Sequence, residues 1–133
     1  MLKLARERGR GRVRVVDDQV GSPSYIPDLA AAVWELVGSG AEGLFHLSNE
    51  GEVSFADYAR AVFALSGVRC EVEAVPSETY GAPARRPPYS TLSNAKAHLL
   101  GVTPLRPWRD ALAEFLGGLR AVEASAPSPS RGI

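Results

Sequence analysis

Three short stretches hold the residue types best suited to gripping a small anionic or polar ligand. Arg85 and Arg86 stand between Pro83 and the pair Pro87–Pro88, in a run from Ser77 to Ser90 with too many breakers for regular structure beyond a turn at Ser77 to Tyr80. A guanidinium offers a planar fork of donors that matches carboxylate or phosphate oxygens, and flanking prolines lower the cost of ordering it. Taken alone, two adjacent arginines read as solvated surface charge. A long loop in a compact domain is nevertheless often functional. In the loop Asp17 to Tyr25, Gly21 permits close backbone approach, Gln19 offers both a donor and an acceptor, and Ser22 adds a hydroxyl. The same residues also suit a structural turn before Pro27. Ser90 is either a ligand contact or, preferably, the cap of a local turn.

The remaining reactive side chains carry little chemistry. His46 lies in the apolar run Leu44 to Leu47 and reads as a core or edge histidine, His98 reads as a surface residue near a helix end, and nothing joins them at metal-ligand spacing. Cys70 is the single cysteine, so neither an intrachain disulfide nor a cysteine-based zinc site is available. Trp34 and Trp108 fall on apolar helix faces and read as core.

The whole chain sets outer bounds. Its 133 residues, 45% hydrophobic and 23% charged, are one domain's worth of ordinary globular composition. Fifteen basic and fifteen acidic residues cancel, and the arginine-rich stretch Lys3 to Arg14 has no interleaved aromatics for base stacking, so no nucleic-acid partner is expected. No run of 18 apolar residues occurs and Met1 to Arg12 lacks a signal-peptide core; the expectation is a cytoplasmic protein with no membrane partner.

Several elements must position these loops. The end of a helix is expected over Met1 to Glu7, a half-buried strand over Arg12 to Asp17, and a mostly buried helix over Leu29 to Val37 with Pro27 and Asp28 in its first turn. Leu44 to Leu47 reads as a short buried strand. Ser54 opens the clearest helix: Asp57 three residues on completes a capping-box pattern, Phe55, Tyr58, Ala59, Val62 and Phe63 form one face, and Gly67 stops it. Cys70 to Ala74 alternates as a strand closed by Pro76. Short helices are expected over Ser93 to Leu100 and Pro107 to Leu119, the second with Trp108, Leu112, Phe115, Leu116 and Leu119 inward. The fold class is α/β with few strands and about four helices, over residues 1 to 120, followed by a disordered Ser/Pro/Ala-rich tail over 121 to 133. So few strands make a poor sheet on their own, and the helix over Leu29 to Val37 is too uniformly apolar to be one-sided. An exposed apolar edge or face is therefore expected.

Two stretches carry a family resemblance. VRVVDDQVGSPSYIPDLAAAV (Val13 to Val33) and ARRPPYSTLSNAK (Ala84 to Lys96), in this order and separated by a strand and a Ser-capped helix, resemble the dTDP-4-dehydrorhamnose reductases. The resemblance runs from about Met1 to Leu119. Those enzymes are extended short-chain dehydrogenase/reductases, with an amino-terminal Rossmann half for NAD(P)H and a smaller carboxy-terminal part that closes over the nucleotide sugar. This chain is similar to the smaller part alone. It departs from many members at Ser24, where they have Thr, and at Tyr89, where they have Asn.

The resemblance implies a dTDP-sugar as partner, with Arg86 on its pyrophosphate and Gln19, Gly21, Ser22 and Ser90 as further substrate contacts. It implies NADPH as cofactor of a full-length parent, with none held here. No glycine-rich turn follows a first strand, since Gly9-Arg10-Gly11 precedes one. The family's Tyr-x-x-x-Lys pair is absent too: the lysines are Lys3 and Lys96, and Leu92 stands four before the latter. No catalytic residue and no metal ligand are expected, and the chain is expected to need a missing Rossmann half. Homo-oligomerisation is left open. An alternative is a non-catalytic binding module resembling the regulatory subunit of methionine adenosyltransferase.

Overall fold

The computed structural model describes residues 11–81 and 83–125. The helix expected over Met1 to Glu7 lies outside the described residues, as does most of the expected tail. In chain order the elements are β1 (Arg12–Val16), β2 (Val20–Gly21), α1 (Ile26–Gly38), β3 (Val53–Ser54), α2 (Phe55–Ser66), β4 (Glu71–Val75), α3 (Ser77–Tyr80), α4 (Ala95–Leu99) and α5 (Trp108–Ser125).

β1 and β4 pair in parallel from Arg12 opposite Glu71 to Val16 opposite Val75. A parallel pair needs a crossover, and α2 lies on it. The capping signals hold: the Ser54 hydroxyl accepts the Asp57 amide at 3.1 Å, and Gly67 ends the helix in the left-handed region with φ 72°. The Asp57 carboxylate accepts a bond from Arg60 at 2.7 Å. One face of α2 puts Ala56, Ala59 and Phe63 against Val15 and the half-buried Val13, Val68, Cys70 and Val72. Another puts Ala61 and Val62 against Leu112 and Leu116 of α5, with Tyr58 and Trp108 alongside, their rings 5.7 Å apart. Sheet, α2 and α5 thus form three layers, each buried large aliphatic or aromatic side chain contributing roughly 1.5–3 kcal/mol relative to exposure.

A second core gathers Ala32 and Leu36 of α1, Ala97 of α4, and Val102 and Leu105, with Leu29, Phe45 and Leu47 against it. Here the sequence expectations need correction. Leu44 to Leu47 is not a strand, because no neighbouring strand pairs with it among the described residues. The expected mostly buried α1 buries only Ala32 and Leu36; Trp34, read as core, is 78% exposed, and Ile26, Val33 and Val37 are exposed beside it. His46 is exposed rather than buried, and Phe55 and Phe115 are about half exposed. Among the described residues there are five helices, four where helices were expected and the single turn α3 where a turn was expected at Ser77 to Tyr80, in keeping with few strands and about four helices; α5 runs through Gly117–Gly118 to Ser125.

Candidate functional site

The two stretches singled out in the sequence meet at Val20. On one side β2 pairs antiparallel with β3, Val20 opposite Ser54. On the other, Val20 N–H donates to the Pro88 carbonyl at 2.8 Å and its own carbonyl accepts Ser90 N–H at 2.9 Å. These bonds make a parallel bridge between Val20 and Tyr89. The loop carrying Arg85 and Arg86 is therefore stitched to the loop carrying Gln19, Gly21 and Ser22. A two-residue strand bounded by Gln19 and Ser22 gives no periodic signal, so β2 reads as plain loop from sequence.

Asp18, Gln19, Ser77, Glu78, Arg85, Arg86 and neighbouring prolines line a cleft of about 580 Å³. Both arginines are exposed on its rim. Gln19 is only 7% exposed, and its amide donates to Ser77 Oγ at 2.7 Å, so it works as a strut beneath the cleft. Asp18 accepts from the backbone N–H and hydroxyl of Ser77, and these bonds, the hydroxyl's first, hold its carboxyl below the usual carboxylate range. Asp18 thereby caps α3 and fixes the far wall.

Gly21 and Ser90 sit at the junction of the two loops. The Ser90 hydroxyl donates to the Val20 carbonyl at 3.1 Å, a bond across to the other loop and not the cap of a local turn, and a Cβ on residue 21 would lie 3.1 Å from that hydroxyl. A side chain there would crowd that hydroxyl. Ser22 faces a second, polar cavity of about 350 Å³ with Glu50, Glu52, Thr91, Asn94 and His98. Of the five expected contact residues, Arg86 and Gln19 thus share one cleft, Gly21 and Ser90 form the seam beside it, and Ser22 looks into the neighbouring cavity. Tyr89 donates its hydroxyl to Glu52, tying the arginine loop to the far side of that cavity. His98, expected at the surface, is half-buried with Nε2 3.7 Å from Glu50.

A polar network below these loops was not foreseen. Arg106 donates from Nε and Nη2 to the two oxygens of Asp28, each at 2.9 Å, and from Nη1 to Glu114. Asn49, 1% exposed, donates to Asp28 at 2.7 Å and to the Arg106 carbonyl at 3.0 Å, and accepts Tyr25 N–H at 2.7 Å. Hydrogen bonds from Arg106 hold the carboxyls of Asp28 and Glu114 below their usual range. Desolvation foremost, then Glu114, pushes the Tyr25 phenol upward. This network anchors the end of the Gly-Ser-Pro loop to the start of α1 and to α5. Asp28 alone gave a sequence signal, as a first-turn carboxylate. Among the described residues no cluster of His, Cys, Asp and Glu could hold a metal ion. No helix among them is long and apolar enough to cross a membrane.

The chain is thus an α/β arrangement in which two loops meet at Val20 beside a polar cleft. Residues 1–121 match the family model described as the RmlD substrate binding domain, and the chain belongs to that family. A dTDP-4-dehydrorhamnose reductase of Mycobacterium tuberculosis is 49% identical over 110 residues, covering 81% of this chain and 36% of the relative. The crystal structure of a dTDP-4-dehydrorhamnose reductase ortholog from Clostridium acetobutylicum superposes with a TM-score of 0.84 at 32% identity, covering 90% of this chain and 42% of that one. The Bacillus anthracis reductase in complex with NADP gives 0.82 at 32% identity, covering 88% and 41%. The chain thus spans about two fifths of the length of the relatives it matches.

Proposed function

We propose that this chain is the dTDP-sugar-holding part of an NADPH-dependent dTDP-4-dehydrorhamnose reductase, which reduces dTDP-4-dehydro-L-rhamnose to dTDP-L-rhamnose. The observation that carries the reading is the seam at Val20, which places Arg85 and Arg86 at the mouth of a cleft floored by Gln19. Two forks of positive charge on a loop fixed at Pro88 and Ser90 suit a pyrophosphate, which presents oxygens at the spacing a guanidinium reads. Gly21 lets the seam close, and Ser90 locks it. Ser22 lies where the bound sugar nucleotide would extend toward the second cavity.

NADPH supplies the hydride when bound to the remainder of the reductase, and no residue of this chain is assigned to holding it. This chain orients the nucleotide sugar, a contribution made through positioning. By itself it is inactive. The experiment is calorimetric titration of dTDP and dTDP-rhamnose into this chain fused behind the remainder of the Bacillus anthracis reductase. Binding that disappears when both Arg85 and Arg86 are changed to Ala supports the assignment. Unchanged binding in that double variant overturns it.

A further inference from the structure

The side-chain amide of Gln19 can face the arginine cleft in one orientation only. Its neighbours decide which. The Ser77 hydroxyl and backbone N–H both donate to the carboxylate of Asp18. Those bonds, the hydroxyl's first, hold the Asp18 carboxyl below its usual range, so at neutral pH it is ionised and can only accept. A serine hydroxyl has a single proton. With that proton given to Asp18, the 2.7 Å contact between Gln19 and Ser77 Oγ requires the Gln19 nitrogen to be the donor. Oxygen and nitrogen of an amide are told apart by such networks, and here the relay from Asp18 through Ser77 puts Gln19 Oε1 at the end away from Ser77.

That oxygen is open to the cleft. Gln19 is 7% exposed and lines the cleft of about 580 Å³. Among the described residues, Oε1 meets no donor. If it were sealed from solvent it would be a buried polar atom without a partner, as Thr91 Oγ1 and His98 Nε2 are, and it is not one of these. The small exposed part of Gln19 therefore includes a hydrogen-bond acceptor whose direction is fixed from behind. Its nitrogen keeps a second N–H that no bond among the described residues uses.

Charge sets which end of a ligand meets this acceptor. Asp18 and Glu78 belong to the wall that carries Gln19, whereas Arg85 and Arg86 stand on the rim formed by the other loop. A diphosphate is drawn to the guanidiniums and repelled by the carboxylates, so the uncharged end of a nucleotide falls toward Gln19. Pro83, Ala84 and Pro88 add apolar surface for a planar ring. We propose that Gln19 selects the base of the bound nucleotide: its Oε1 accepts the ring N–H of a pyrimidine-2,4-dione, the class that includes thymine and uracil, and rejects cytosine. Cytosine carries a lone pair at the same ring nitrogen, so two acceptors would face each other. A site built around a ligand N–H discriminates against the analogue lacking it because its own polar group is then left unpaired. The inference rests on the proposed function for the presence of a nucleoside diphosphate in this cleft, and adds the residue that chooses among its bases.

The test is calorimetric titration of dUDP and dCDP into the fusion to the remainder of the Bacillus anthracis reductase. These two ligands differ only at ring positions 3 and 4. The wild-type fusion is expected to bind dUDP about tenfold more tightly than dCDP or more, and 3-methyl-dUDP, which has no ring N–H, should lose at least as much. Asp18→Asn is an isosteric change at an exposed position. Its amide can donate to Ser77 Oγ, which releases the Ser77 proton to Gln19 and lets the Gln19 amide turn over. The preference for dUDP should then shrink to about twofold or invert. Ser77→Ala, which removes the middle of the relay, should shrink it as well. A purely structural role for these residues would weaken both ligands by the same factor and leave their ratio unchanged.

Equal affinity of the wild-type fusion for dUDP and dCDP overturns the inference, as does a ratio that survives in both Asp18→Asn and Ser77→Ala. If either variant is unfolded by circular dichroism, the wild-type comparison of dUDP, dCDP and 3-methyl-dUDP decides by itself. Changing both Arg85 and Arg86 to Ala separates this inference from the functional reading. A fusion that binds dUDP and dCDP alike, and loses both in that double variant, refutes the base selection alone. One that binds neither ligand, nor dTDP, refutes the functional reading and this inference with it.

Discussion

The guanidinium of Arg106 and the carboxylate of Asp28 meet fork to fork, with two hydrogen bonds of 2.9 Å each. The pair joins the first turn of α1 to the segment entering α5, and Asn49 adds a third hydrogen bond to Asp28. A side chain held this way ionises more readily in the folded chain than in the unfolded one. Its pKa is depressed, so its contribution to stability is fully present above the unfolded carboxylate value of about 3.9 and is lost as pH falls through the lower folded value. Asp18 and Glu114 are shifted in the same direction. The urea midpoint of the wild-type chain should therefore fall steadily below about pH 4, and Asp28→Asn should give a lower midpoint at pH 7 with a shallower acid slope. Equal slopes in the two proteins would count against the pair.

Gly21 and Ser90 should behave as a coupled pair. Gly21→Ala brings a methyl to 3.1 Å from the Ser90 hydroxyl, which must shift by a few tenths of an ångström and so strains its bond to the Val20 carbonyl. A loss of about 0.5–1.5 kcal/mol is expected, the size of one net hydrogen bond. Adding Ser90→Ala should remove most of the extra penalty in a double-mutant cycle read by urea unfolding. Strict additivity would show that the contact is not felt.

Arg86 is assigned the pyrophosphate. In the fusion to a related reductase remainder, Arg86→Ala should weaken dTDP-sugar binding by about tenfold to a hundredfold. Arg86→Lys should recover only part of that, since it keeps the charge and loses the fork. Arg85→Ala should be milder. A larger effect at Arg85 would move the assignment one residue upstream.

Reductase assays on the isolated chain with NADPH and the 4-keto sugar nucleotide should show no turnover above buffer. Measurable turnover by a homogeneous preparation would remove the basis for assigning this chain a holding role only.

Local signals in the sequence were read correctly where local chemistry decides the outcome. Ser54, Asp57 and Gly67 bracket α2, and alternating residues mark β1 and β4, because caps and periodicity are properties of neighbouring residues. The seam at Val20 was out of reach because it depends on residues 68 to 70 positions apart meeting across a two-residue strand. The Arg106–Asp28 network, 78 residues apart, was missed for the same reason. Leu44 to Leu47 and Trp34 failed differently. Their apolar character reports burial, and nothing in a single sequence says whether the covering surface belongs to the same chain.

The contrasting settings of the two tryptophans give the molecule an optical reporter. Trp108 packs against the Tyr58 ring, whereas Trp34 stands in water on the open face of α1. Indole emission moves to shorter wavelength when the ring leaves water, and Trp108 is already packed. A blue shift on joining this chain to the remainder of a reductase should therefore come from Trp34, and Trp34→Phe should abolish it. No label is required, because the face that would be covered carries its own fluorophore.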